Sequence, residues 1–135
     1  MLSKPEAARR NIFVGRHWID AFNRKEFERL IALYWDHATH YSPRLEKQRP
    51  ETKGLITGKP EIREYYGKIL SSPAYATLHY EPTSITADDD DAYLEYVRSL
   101  AGEQDLPVSE VLKILDGKII ASRVLPFTAP AQRGN

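Results

Sequence analysis

A glutamate stands among apolar side chains in the run Val108-Ser109-Glu110-Val111-Leu112-Lys113-Ile114. Side chains of an extended chain alternate between two faces, so Glu110 shares a face with Val108, Leu112 and Ile114. Loss of hydration raises the pKa of a carboxyl group in such a place and makes it a proton donor or acceptor near neutral pH. A structural reading stands beside this one: a buried glutamate paired with Arg98 or Arg123. By the same alternation Arg98 falls with Leu94, Tyr96 and Leu100, and Arg123 with Ile119, Ala121 and Leu125. Either guanidinium can hold a substrate carboxylate or a developing oxyanion, and one of the two is expected to neutralise Glu110.

His40 alternates with Ser42 just before Pro43. If that face lines a pocket, His40 is the imidazole best placed for acid–base work; otherwise it is a half-exposed strand histidine. His17, His37 and His79 have no metal-ligand spacing to one another or to His40, and there is no cysteine, so no metal site is expected. Trp18, Tyr65, Tyr66 and Tyr96 either wall an aromatic pocket or fill the core, with Trp18 and one tyrosine expected to reach a cavity. The run Asp88-Asp89-Asp90-Asp91 lacks the ligand spacing and glycine of a calcium loop and reads as a solvated turn. No nucleophile elbow, phosphate-binding glycine loop or dinucleotide fingerprint occurs, and the expected chemistry needs no cofactor.

The elements that must position these groups follow from periodicity. Ser3-Lys4-Pro5-Glu6 is a capping box. Ala8, Ile12, Gly15, Trp18, Ile19 and Phe22 then fall on one helical face, which predicts a helix over 4–22. Phe27, Leu30, Ile31 and Tyr34 restart the pattern on a short second helix, and a brief strand is expected over 39–42. The polar stretch 44–57 reads as a surface loop. Ile62, Tyr65, Tyr66, Ile69 and Leu70 predict a third helix over 60–70, with Pro60 in its first turn. Beyond it the period becomes two. Strands are expected over 75–86, 92–100, 108–115 and 118–127, with Asp116-Gly117 as a hairpin turn and 129–135 as a loose tail.

The 135 residues suit one domain, with 41% apolar and 28% charged residues. Lys+Arg and Asp+Glu both number 19, so no basic stripe invites nucleic acid. No apolar run approaches the roughly 20 residues of a membrane helix, and the polar start Met1-Leu2-Ser3-Lys4 lacks a signal-peptide core. The expected location is the cytoplasm. Three helices followed by an antiparallel meander predict an α+β domain in which helices cover a strongly bent sheet and leave a pocket.

Three pieces of the chain resemble the NTF2-like superfamily, in particular its SnoaL-like and ketosteroid-isomerase-like branch. They are Ala32-Leu33-Tyr34-x-Asp36-x-Ala38-Thr39 with Pro43, Gly58-x-x-x-Ile62-Arg63-Glu64-Tyr65-Tyr66, and Asp116-Gly117-Lys118-Ile119. The resemblance implies a cone-shaped α+β fold enclosing a pocket, and a homodimer built on the outer sheet face. Carried across residue by residue, the isomerase's oxyanion tyrosine corresponds to Trp18, its general-base carboxylate to Ser42 and its second oxyanion acid to Glu110. Only Glu110 keeps its chemistry. The acids that epoxide hydrolases and polyketide cyclases of this superfamily carry on the last strand find no counterpart near Arg123-Val124-Leu125.

The expected function is binding of a small hydrophobic, carbonyl-bearing molecule, with cofactor-independent proton transfer of the isomerase, cyclase or dehydratase type. Glu110 and His40 would move protons, and Trp18, Ser42, Tyr65, Tyr96, Arg98 and Arg123 would contact the substrate. A non-catalytic module of the same shape, holding a ligand or a protein partner, is the alternative.

Overall fold

The computed structural model describes residues 1–125. The first helix, α1 (Lys4–Asn23), starts where the capping box places it: Ser3 Oγ accepts from the Glu6 N–H at 3.2 Å, and Glu6 Oε1 accepts from the Ser3 N–H at 2.9 Å. Its buried stripe of Val14, Gly15, Trp18, Ile19 and Phe22 lies on strands β3 (His79–Ala87) and β4 (Asp91–Ser99). A Cβ at Gly15 would stand 3.0 Å from Leu94 Cδ2, so the absent side chain lets helix and sheet approach this closely.

Between α1 and β3 come α2 (Phe27–Ala32), β1 (Tyr34–Tyr41), α3 (Pro43–Gln48), β2 (Leu55–Thr57) and α4 (Lys59–Ser71). Strands β5 (Leu106–Leu115) and β6 (Lys118–Leu125) complete an open six-stranded sheet in the order β2-β1-β6-β5-β4-β3. β1 runs parallel to β6 and every other pairing is antiparallel. This is the expected α+β architecture, with helices on one face of a mixed sheet. Trp18, Phe22, Leu30, Tyr34, Ile62 and Ile119 are fully buried between the two layers. β3 lies at the sheet edge, which is where Pro82 can be accommodated without loss of a ladder bond.

Four α-helices, not three, precede the meander, and the differences from the sequence reading have local causes. The second helix ends at Ala32, and Tyr34, which continues its periodicity, already belongs to β1 and pairs with Ile119. β1 then leaves register until Thr39, with Trp35, Asp36 and His37 exposed on the bulged segment. The stretch 44–57, expected as a surface loop, contains most of α3, a 3-10 turn (Pro50–Thr52) and β2. Ser42 Oγ caps α3 by accepting from the Arg44 N–H at 3.1 Å. Leu45 and Ile56 are its buried anchors, too few to create a visible period. The strand expected from residue 75 begins at His79, after a 3-10 turn at Pro73–Tyr75 capped by Ser72. The last strand is described to Leu125; Phe127 and the tail expected over 129–135 lie outside the described residues.

Gly54 closes the α3–β2 connection onto β1. Its carbonyl accepts from the Ser42 N–H at 3.0 Å. Its φ is +83°, and a Cβ there would stand 2.7 Å from Tyr41 Cε1. Gly54→Ala combines left-handed strain with a steric clash and should lower stability by about 2 kcal/mol, read from urea unfolding. An unchanged midpoint would contradict this packing.

Candidate functional site

The concave face of the sheet and the covering helices leave a cavity of about 460 Å³. α1 contributes Trp18; β1 and the residue after it contribute His40 and Ser42; α4 contributes Tyr65 and Tyr66. β3 supplies Tyr80, β4 Tyr96 and Arg98, β5 Val108 and Glu110, and β6 Val124 and Leu125. Lys47, Leu106 and Pro107 are exposed and mark the open end.

Glu110 is 1% exposed. Its Oε1 accepts from the Tyr96 hydroxyl at 2.7 Å, and its Oε2 is buried with no hydrogen-bond partner. Burial pushes its carboxyl up to about 7, against a smaller downward pull from the Tyr96 hydrogen bond. The expected neutralising arginine is not there. Arg98 donates to Glu103 at 3.1 Å, and Arg123 is exposed and lies over the Tyr41 ring at 5.8 Å. The face assigned to Arg123 is thus corrected. β6 pairs Ile119 with Ile114 and Ala121 with Lys113, so Ile120 is an extra residue in the ladder. Such a bulge reverses the alternation beyond it, and Ser122, not Arg123, turns inward.

His40 is 2% exposed, not half-exposed. Its Nδ1 lies 2.6 Å from Ser122 Oγ and 3.4 Å from the Tyr66 hydroxyl. Burial lowers its pKa to about 3, so the ring is neutral at physiological pH and is no imidazolium acid. The polar chain continues: Trp18 Nε1 donates to the Tyr34 hydroxyl at 3.0 Å, and Tyr34 donates to Ser122 Oγ at 3.0 Å. In the tautomer with the ring proton on Nε2, the Ser122 hydroxyl accepts from Tyr34 and donates to His40 Nδ1. Nε2 has no partner among the described hydrogen bonds.

Of the residues singled out from sequence, Glu110, His40, Trp18, Ser42, Tyr65, Tyr96 and Arg98 share this cavity and Arg123 does not. Two have other duties than expected. Trp18 spends its only N–H inside the protein, so it offers the cavity a ring face and no oxyanion donor. Ser42 lines the wall while capping α3. Burial raises the hydroxyl pKa of Tyr65, Tyr80 and Tyr96, which therefore stay protonated. Sequence reasoning missed Tyr80, stacked between Phe22 at 4.1 Å and Tyr96 at 4.2 Å. It also missed Arg44 and Lys47 of α3. The Ser42-Pro43 pair, an N-cap followed by proline in the first turn, was the signal for that helix. Among the described residues no group of His, Asp or Glu side chains could hold a metal ion, and no helix is long and apolar enough to cross a membrane.

Solved structures with this architecture are numerous. A SnoaL-like protein of unknown function from Burkholderia thailandensis is 21% identical, with TM-score 0.74, covering 89% of this chain and 97% of that one. A candidate ketosteroid isomerase from Kribbella flavida is 18% identical, with TM-score 0.71 and coverage of 91% and 84%. A candidate polyketide cyclase from Sinorhizobium meliloti is 16% identical, with TM-score 0.66 and coverage of 83% and 93%. At these identities the likeness concerns the fold. No curated protein matches in sequence. The sequence model of the SnoaL-like domain matches residues 15–122, which run from within α1 into β6, and the chain belongs to that family.

Proposed function

We propose that the cavity binds a small hydrophobic, carbonyl-bearing molecule and that Glu110 transfers a proton on it without a cofactor, in an isomerisation, cyclisation or dehydration. The observation that carries this reading is the unpartnered Oε2 of Glu110 in the wall of an apolar, aromatic-lined cavity. A carboxyl group held near pKa 7 is well matched to taking a proton from a carbon next to a carbonyl and returning it elsewhere. As a carboxylate Glu110 removes that proton and the electron pair moves onto the carbonyl oxygen. Neutral His40, in the tautomer that carries its proton on Nε2, would donate a hydrogen bond to the oxyanion that forms, as neutral imidazoles do elsewhere. Tyr96 steadies Glu110 through Oε1 and leaves Oε2 to the substrate.

The test is deuterium incorporation from heavy water into a panel of ketones and enones, followed by proton NMR, beside binding of the same compounds. Exchange by the parent protein that Glu110→Gln abolishes, with affinity kept, is the expected outcome. Binding without exchange on every compound would favour the alternative, a SnoaL-like module that holds its ligand without catalysis. We further propose that the protein works in the cytoplasm as a homodimer. Tyr93, Val111 and Arg123 form one cross-strand row on the outer sheet face, and Tyr93 remains 40% exposed. Tyr93→Glu should then shift the sedimentation mass of the parent from two chains to one; a monomeric parent would contradict the pairing.

A further inference from the structure

We propose that the ligand is an anion: a small hydrophobic carboxylic acid that also bears a carbonyl, with its carboxylate on Arg98 and its reacting end against Glu110. This rests on the reading of the cavity as a small-molecule site and adds the ligand's charge and orientation to it.

Arg98 is 7% exposed, in the cavity wall. Its NH1 donates to Glu103, from the β4–β5 turn, at 3.1 Å, while NH2 is buried and has no partner. A guanidinium presents a rigid fork of donors that suits a second carboxylate at the free nitrogen. Leaving a buried charged donor unmade is costly, and such groups call for an occupant. The charges around it agree. Arg44 donates to the Tyr75 hydroxyl at 2.9 Å, and neither Arg44 nor Lys47 pairs with an acid among the described residues. The cavity lining therefore carries three basic side chains, Arg44, Lys47 and Arg98, and one acid, Glu110, with Glu103 answering Arg98 from the adjoining turn.

The sheet register sets the orientation. Glu110 pairs with Leu94, Tyr96 with Val108, and Arg98 with Leu106 at the open end. Four residues of strand separate the Arg98 position from the Glu110 row, about 13 Å of backbone, and the flexible arginine side chain can shorten that gap. The layout suits a molecule with its charged end at the rim, an apolar body across Tyr96 and Val108, and its carbonyl at the closed end.

The experiment is isothermal titration of the wild-type protein at neutral pH with 4-oxo-4-phenylbutanoate and, separately, with its uncharged methyl ester. The acid should bind about tenfold or more tightly than the ester, the worth of one charge-assisted hydrogen bond. Arg98→Gln should bring the two within about twofold of each other, and Arg98→Lys should keep part of the preference. Equal or better binding of the ester by the wild type overturns the inference and leaves the small-molecule reading intact. A folded Arg98→Gln protein that keeps the full preference also overturns it. If neither compound binds at about millimolar concentration, the small-molecule reading and this inference fall together. The wild-type comparison decides the ligand's charge even if Arg98→Gln does not fold.

Discussion

Between pH 4.5 and 7 the Glu110→Gln variant should gain about 3 kcal/mol of stability relative to the parent chain. Folding raises the Glu110 carboxyl from its ordinary 4.5 to about 7, because burial removes its hydration. The folded state therefore holds a proton that the unfolded chain releases across this window. Stability from that proton is complete below 4.5, declines as pH rises, and is gone above about 7, where both states are ionised. Glutamine has no such decline. His40 works in the opposite direction, since burial lowers it from 6.5 to about 3. Its contribution is complete above 6.5 and is lost as pH falls toward 3. In the parent the two slopes offset each other between 4.5 and 6.5, and the stability profile there should be nearly flat. In Glu110→Gln the His40 slope stands alone, and stability should climb with pH through the same interval. Burial raises the hydroxyls around Glu110, those of Tyr65, Tyr66, Tyr80 and Tyr96, above the ordinary tyrosine value, so they stay protonated in this range and leave the difference clean. Urea unfolding of both proteins at several pH values reads it directly. A constant difference across pH would mean that Glu110 does not retain its proton on folding.

Turnover should fall by about 10²–10⁴ in Glu110→Gln, the usual worth of a positioned acid–base group. Glutamine keeps the size of the side chain and can still accept from Tyr96, so binding and fold are spared while the proton carrier is lost. In the parent, a rate that needs the carboxylate should rise with pH and level off above about 7. Tyr96→Phe removes the one hydrogen bond that favours the carboxylate, so the midpoint of this profile should move to higher pH. A profile unmoved by that change, or a Glu110→Gln protein with parental turnover, would exclude Glu110 as the proton carrier.

The sequence was legible wherever apolar periodicity was strong. The α1 stripe through Trp18 and Phe22, the α4 face through Ile62 and Tyr66, and the alternation around Glu110 and Arg98 all lie where the spacing puts them. Failures fall where a single residue changes the count. Ile120 adds one position to β6 and sends Arg123 outward, and nothing in Ile119-Ile120-Ala121 announces a bulge. Tyr34 fits the next turn of α2 as well as the first position of β1, and tertiary pairing with Ile119 decides for the strand. α3 carries one buried apolar anchor, Leu45, so only its cap could reveal it. The site's electrostatics were half legible. Strand parity places Glu110 indoors, but parity cannot say whether a buried acid meets an arginine or a tyrosine. That choice depends on Glu103, a turn residue that draws Arg98 away.

The linked side chains Trp18, Tyr34, Ser122, His40 and Tyr66 come from α1, β1, β6 and α4. Lifting α4 off the sheet would strand Tyr66 and loosen its neighbours together, in surroundings where water cannot replace the lost partners. That seam acts as a rivet through the closed end of the cone. A ligand of the proposed kind would therefore pass Lys47, Leu106 and Pro107 at the open end, and its entry would not call for α4 to lift.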